Sequence, residues 1–149
     1  MNKNSKVCKN RRGGALHLTQ KVDYGILLLT SLAGDTRKHK SIKKIAEEKN
    51  LSFSFLQKIA RMLHEANIIK SERGKYGGYK LAKAPEEIPL KQIIEVLEGR
   101  IAIVPCLKST KTCWDCAEGC EVRSSLQNLN NEIMKCFSSK NLDYFLNNK

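Results

Sequence analysis

The chain has 149 residues, with 27 Lys or Arg against 15 Asp or Glu and a formal net charge of +12. That length holds one compact domain with an appendage and a real core, but is short for a two-lobed enzyme. No apolar run reaches the ~18 residues of a membrane-spanning helix, and the basic start (Lys3, Lys6, Lys9, Arg11, Arg12) lacks the apolar stretch of a secretory signal. The expectation is a cytoplasmic protein with no membrane partner.

The charge is unevenly placed. Residues 1–22 carry six Lys/Arg and no acids, residues 37–80 carry twelve against four acids, and residues 81–149 carry nine of each. Positive charge is therefore concentrated in the first 80 residues, as a phosphate-binding surface requires. Of six cysteines (Cys8, Cys106, Cys113, Cys116, Cys120, Cys136), four lie within 15 residues. Without an export signal, such clustering reads as metal ligation or redox chemistry and not as a disulfide framework. Paired carboxylates, a Cys–His arrangement and a phosphate loop are all missing at usable spacing, so an enzyme is not expected.

In chain order, residues 1–15 read as a basic disordered tail. Thr19 caps a strongly apolar helix that continues to Leu32 and is stopped by Gly34-Asp35. Arg37-Lys38-His39-Lys40 reads as a loop. Ser41 caps a short helix from Ile42 to Lys49, Asn50-Leu51 makes a turn, and Ser52 caps a second helix from Phe53 to Glu65. The second helix buries Leu56, Ile59, Ala60 and Leu63 and turns Ser54, Gln57, Lys58 and Arg61 to the other side. This is a helix-turn-helix pattern.

Ile68 to Arg73 reads as a strand, Gly74-Lys75-Tyr76-Gly77-Gly78 as a turn, and Tyr79-Lys80-Leu81 as the return strand. A hairpin directly after a recognition helix is a wing, and its glycines let the backbone approach a phosphate closely. Arg73, Lys75 and Lys80 supply charge, as phosphate contacts or as solvated groups, and the same two readings hold for Lys58 and Arg61. Ala84 to Pro89 is a linker. A helix from Leu90 to Glu98 ends at Gly99, and residues 105–120 form an irregular cysteine-rich loop. Glu121 to Phe137 is a long helix with Val122, Leu126, Leu129, Ile133 and Phe137 in register, and Ser138 begins a short final helix.

The long helix needs a partner for its stripe, and the simplest is the same helix of a second copy. Two-fold helix-turn-helix dimers bind pseudo-palindromic double-stranded DNA. The expected fold is mainly α with a small β wing: a winged helix-turn-helix over residues 16–85, then a cysteine-loop and dimerisation region over 86–149.

Leu18-Thr19-x-x-x-Asp23-Tyr24, Ser52-x-Ser54-Phe55-Leu56, Arg73-Gly74-x-x-Gly77-Gly78-Tyr79 and Glu98-Gly99 occur in order, with clustered cysteines in the next loop. In these motifs, over residues ~16–146, the chain resembles the IscR/NsrR-type family of bacterial winged-helix transcription regulators. The resemblance implies a homodimer whose long C-terminal helix crosses to the other subunit, and an iron–sulfur cluster in the loop before it that tunes DNA affinity. It also places Ser52, Ser54, Gln57 and Arg73, with Tyr79 of the wing motif, at DNA-binding positions. Hydroxyls and a Gln at a recognition-helix N-terminus suit phosphates and base edges, and an Arg at a wing base suits the minor groove.

The spacing Cys106-x6-Cys113-x2-Cys116-x3-Cys120 offers soft thiolates for an iron–sulfur cluster or zinc. The family pattern fits Cys106, Cys113 and Cys120 as ligands, with the cluster either 2Fe–2S or 4Fe–4S; Cys116 is a fourth ligand, a substitute for Cys113 or a bystander, and Asp23 is the other candidate for the fourth. One branch of the family uses a His three residues after the last cysteine, where this chain has Arg123. Four thiolates also suit structural zinc, although the paired CxxC spacing is missing. A reversible thiol switch, or control by a protein partner without any cluster, are the further alternatives. Cys8 and Cys136 are not expected to ligate, and Cys136 reads as a small apolar residue.

Overall fold

The computed structural model describes residues 18–34, 39–74, 77–108 and 120–147. Helix α1 spans Gln20–Ala33, α2 Ile42–Lys49 and α3 Phe53–Glu65. Strands β1 (Ile69–Glu72) and β2 (Gly78–Leu81) follow, then α4 (Leu90–Glu98), α5 (Arg123–Ser138) and α6 (Tyr144–Asn147). The architecture is mainly helical with one two-stranded antiparallel sheet, paired Ile69 to Leu81 and Glu72 to Gly78. α2, α3 and α4 have the bounds that apolar spacing predicts.

Two asparagines set the path of the chain through the helix-turn-helix. Asn50 adopts a left-handed conformation, φ 53°, after α2, and Asn67 adopts φ 56° after α3. Asn tolerates this region because its short polar side chain carries little steric penalty there. Each helix closes with the same backbone bond five residues back: Leu51 N–H to Ala46 O at 2.8 Å, and Ile68 N–H to Leu63 O at 2.9 Å. The first closure turns the chain from α2 into α3, and the second turns it from α3 into the wing.

The core joins α1, α2, α3, β1, β2 and α4. Leu28 and Leu29 of α1, Ile45 of α2, Leu56, Ile59 and Leu63 of α3, Ile69 of β1 and Ile93 and Leu97 of α4 are all essentially sealed from solvent. Gly25 lets α1 pass close to α4: a Cβ there would run into Leu97 Cδ1. Glu98, at the end of α4, fastens the same pair at the surface. It accepts a 2.5 Å bond from the Thr19 hydroxyl and lies 3.4 Å from the Lys21 ammonium. Thr19 caps α1 with the same oxygen, accepting from Val22 N–H.

Three expectations are corrected. Lys40 does not sit in a loop. It pairs antiparallel with Tyr79, Lys40 N–H to Tyr79 O at 2.8 Å and Tyr79 N–H to Lys40 O at 2.9 Å. β2 therefore has a neighbour on each side, a pairing between segments far apart in sequence that no local pattern reveals. The Ala84–Pro89 linker contains a helical turn, Pro85–Glu87, where the Glu87 carboxylate accepts from Ala84 N–H at 3.1 Å. Ile88 is buried, and its carbonyl accepts from Leu142 N–H at 2.9 Å. The final helix accordingly starts at Tyr144, because residues 140–142 pair with residues 88–90 instead.

Gly78 lies where β2 passes Lys40, and a Cβ there would stand 2.6 Å from the Lys40 carbonyl oxygen. That clash is with backbone, so side-chain rotation cannot relieve it. Gly78→Ala is expected to lower stability by about 2 kcal/mol, read as a shifted urea midpoint with an unchanged slope; an unshifted midpoint would show that the Lys40–Tyr79 pairing does not hold the wing.

Candidate nucleic-acid interface and cysteine segment

α3 presents its polar side outward because its apolar stripe is taken up by α1, α2 and α4. Ser52, Ser54, Gln57, Lys58 and Arg61 are all exposed. The two hydroxyls are already partly engaged. Ser52 Oγ accepts from Phe55 N–H at 3.4 Å, the N-cap bond, and lies 3.2 Å from Ser54 Oγ. Arg61 is engaged too: its Nε donates to Glu65 Oε1 at 2.8 Å, one helical turn on. The carboxylate, through its hydrogen bond and its charge, holds the Arg61 guanidinium above its ordinary pKa. Gln57 and Lys58 complete the outward face.

The wing hairpin is anchored to this face. Arg73 is exposed just past β1, and Lys75 lies outside the described residues. Lys80 is half-buried on β2. Tyr79 points inward: it packs against the core, with its ring edge-on to His64 at 6.2 Å. Its backbone bonds to Lys40 on one side and pairs with Ser71 across the sheet on the other. His39 Nε2 lies 3.1 Å from the Glu72 carboxylate, and His64 Nε2 lies 3.1 Å from Ser71 Oγ. These contacts fix β1 to α3 and to the segment before α2.

Three of the cysteines, Cys106, Cys120 and Cys136, fall within the described residues. Cys106 is half-buried in a single helical turn, Pro105–Leu107, and Cys120 is half-buried just before α5. Cys113 and Cys116 lie outside the described residues. Among the described residues no three His, Cys, Asp or Glu groups converge as a metal site. Asp23 is exposed in the first turn of α1. Cys136 is exposed, so it is not the apolar filler that its place near the helix end suggests.

Both ends of the cysteine segment are tied to α5. Ile103 N–H donates to Asn130 Oδ1 at 3.1 Å, and Arg123 N–H donates to Cys120 O at 3.2 Å. Asn130 is the buried polar side chain of the described residues. By contrast, Val122, the N-cap of α5, is 58% exposed and Leu129 within α5 is 48% exposed, while Leu126, Ile133 and Phe137 are half-buried.

Residues 18–148 match the family model described as Rrf2, iron-dependent transcriptional regulator. The chain belongs to the Rrf2 family. It is 35% identical over 100 residues to the HTH-type transcriptional regulator NsrR of Halalkalibacterium halodurans, covering 66% of this chain and 68% of the relative. The structure of CymR (YrzC), the global cysteine regulator of B. subtilis, superposes with a TM-score of 0.70 at 29% identity, covering 86% of this chain and 94% of that one. IscR of T. potens superposes with a TM-score of 0.70 at 28% identity, covering 89% and 87%. Rrf2-family proteins are transcriptional regulators, so this chain is one and is not an enzyme. No helix among the described residues is long and apolar enough to cross a membrane.

Two residues of this Rrf2-family site escaped sequence reasoning. Glu65 was legible as an i,i+4 partner of Arg61, a pairing that local spacing predicts. Asn130 had only a weak signal, a polar residue beside Leu126 and Ile133 on a helix where an apolar one would pack. Glu65 also bears on the interface, because its carboxylate holds Arg61 and would repel a phosphate. Glu65→Gln is expected to raise affinity for duplex DNA by roughly three-fold at low salt and to steepen the salt dependence, as measured by fluorescence anisotropy. Unchanged affinity would place Arg61 off the interface.

Proposed function

We propose that this Rrf2-family chain is a homodimeric regulator that binds pseudo-palindromic DNA and whose affinity is set by an iron–sulfur cluster in the cysteine segment. The DNA contacts are Ser54, Gln57 and Lys58 of α3, with Arg61 once released from Glu65, and Arg73 and Lys75 of the wing; Ser52 caps the helix that presents them. Cys106, Cys113 and Cys120 are the cluster ligands, with Cys116 or Asp23 as the fourth. The donor chemistry fits, since Cys106 and Cys120 are half-buried thiols and thiolates are the usual ligands of such clusters. A bound cluster would give these thiolates redox-sensitive iron–sulfur bonds.

The observation that carries this reading is the double attachment of the segment to α5. Ile103, three residues before Cys106, donates to Asn130 of α5, and Cys120 accepts from Arg123, the first residue of α5, so a change at these cysteines would reach α5 at both points. α5 also leaves Leu129 and its N-cap Val122 exposed, apolar groups on which a second copy would pack. A shift of α5 within a dimer changes the separation of the two recognition helices, and with it the population able to bind DNA. The similarity to CymR, a global cysteine regulator, favours a second reading, in which the same thiols form a reversible disulfide and no cluster is used.

Anaerobically purified protein is expected to be coloured, to carry iron and to run at twice the chain mass. Alanine at Cys106, Cys113 or Cys120 is expected to remove the colour. Colourless, iron-free protein with a reducible Cys–Cys bond would move the assignment to the thiol switch, and zinc in place of iron would make the segment structural.

Asn130→Ala leaves the thiols in place and removes only the acceptor for Ile103 N–H. It is expected to keep the iron and to shrink the difference in DNA affinity between loaded and metal-free protein by about ten-fold, a coupling of ~1.4 kcal/mol. An undiminished difference would show that the signal leaves the segment by another route.

A further inference from the structure

Phenylalanine occurs twice in the first turn of α3, and the two rings have opposite fates. Phe55 packs edge-to-face on Tyr24 of α1, with ring centroids 5.5 Å apart. Phe53, the first residue of the helix, is 45% exposed. Helical spacing sets it at the margin of the buried stripe, one turn before Gln57 and on the same side. The stripe residues Leu56, Ile59, Ala60 and Leu63 are at most 1% exposed, so the core under α3 is complete without Phe53.

The surroundings of the ring are those of a DNA-reading surface. Ser52 and Ser54 flank it; their hydroxyls are bonded to one another, and that of Ser52 also accepts the cap bond from Phe55 N–H. Gln57, Lys58 and Arg61 lie on the next turns, all exposed. The residues that project freely from the start of α3 are thus an aromatic ring and an amide. In a major groove the N-terminal residues of a recognition helix meet base edges. The apolar group displayed there is the 5-methyl of thymine, which takes contacts from apolar side chains such as Phe.

We propose that the Phe53 ring packs on a thymine 5-methyl group in each half-site, making it a specificity-determining residue of the DNA face. The inference rests on the DNA-binding reading above. Uracil has the same hydrogen-bonding edges as thymine and lacks only the methyl, so it isolates the contact. Burying one methyl-sized group contributes about a four-fold change in affinity.

The test begins with selection of binding sites from a random duplex library by the full-length protein. Each thymine of the selected site is then replaced, one symmetric pair at a time, by deoxyuridine. One pair is expected to weaken wild-type binding by about four-fold per half-site. Phe53→Ala is expected to bind thymine and uracil duplexes equally at that pair, and Phe53→Leu to keep part of the preference. Because the side chain is exposed, both variants are expected to keep the circular dichroism and the melting temperature of the wild type. Indifference of wild type to uracil at every position would overturn the proposal, as would a uracil penalty that persists in full in Phe53→Ala. Failure to enrich any site would overturn the DNA-binding reading together with it.

Discussion

The recognition helix is aimed by one packed seam. Leu56, Ile59, Ala60 and Leu63 are sealed against α1, α2 and α4, and this leaves α3 no freedom to rotate about its own axis. A rotation that brought one of these side chains to solvent would cost about 1.5–3 kcal/mol per residue. Gln57 and Lys58 therefore point outward because their neighbours at helical spacing point inward. The two left-handed asparagine closures complete the constraint, since they fix where α3 begins and where the wing leaves it. A DNA-reading surface needs this rigidity, because groove contacts are lost when side chains are misplaced by about 1 Å.

The wing is secured by contacts distributed over several elements. β2 pairs with β1 on one side and with Lys40 on the other, so a hairpin that would be marginal alone becomes part of a three-segment arrangement. His39 with Glu72 and His64 with Ser71 add polar fastenings between the wing and its surroundings. Lys40 also donates from its ammonium to the Ser31 carbonyl at the end of α1. This bracing uses Lys40 internally, while Glu72 remains largely exposed. Lys58 and Arg73, by contrast, face solvent directly.

α5 is attached to the rest of its subunit in an unusual manner. Its most buried side chain is an asparagine rather than a leucine, and that side chain holds the backbone of Ile103. A buried amide satisfied by one specific backbone group is selective for position in a way that an apolar contact is not. If Ile103 moves, Asn130 loses its partner, and a buried polar group left unsatisfied costs about 1–3 kcal/mol. A position-sensitive bond of this kind joins the segment before Cys106 to α5.

The sequence by itself determined the elements whose causes are local. Apolar spacing placed α2, α3 and α4 at their bounds, Ser52 and Thr19 marked helix starts, the glycine-rich turn marked the wing, and charge asymmetry marked the basic half. The motif order also carried the family. Tertiary structure alone decided contacts between residues far apart in the chain. Lys40 joined β2, Ile88 met Leu142, Tyr79 turned inward, Cys136 turned outward, and Asn130 reached back to Ile103. The physical reason is that spacing along a helix or strand records which face is apolar. It does not record what that face will meet, or which polar group a buried amide will find across 27 residues of chain.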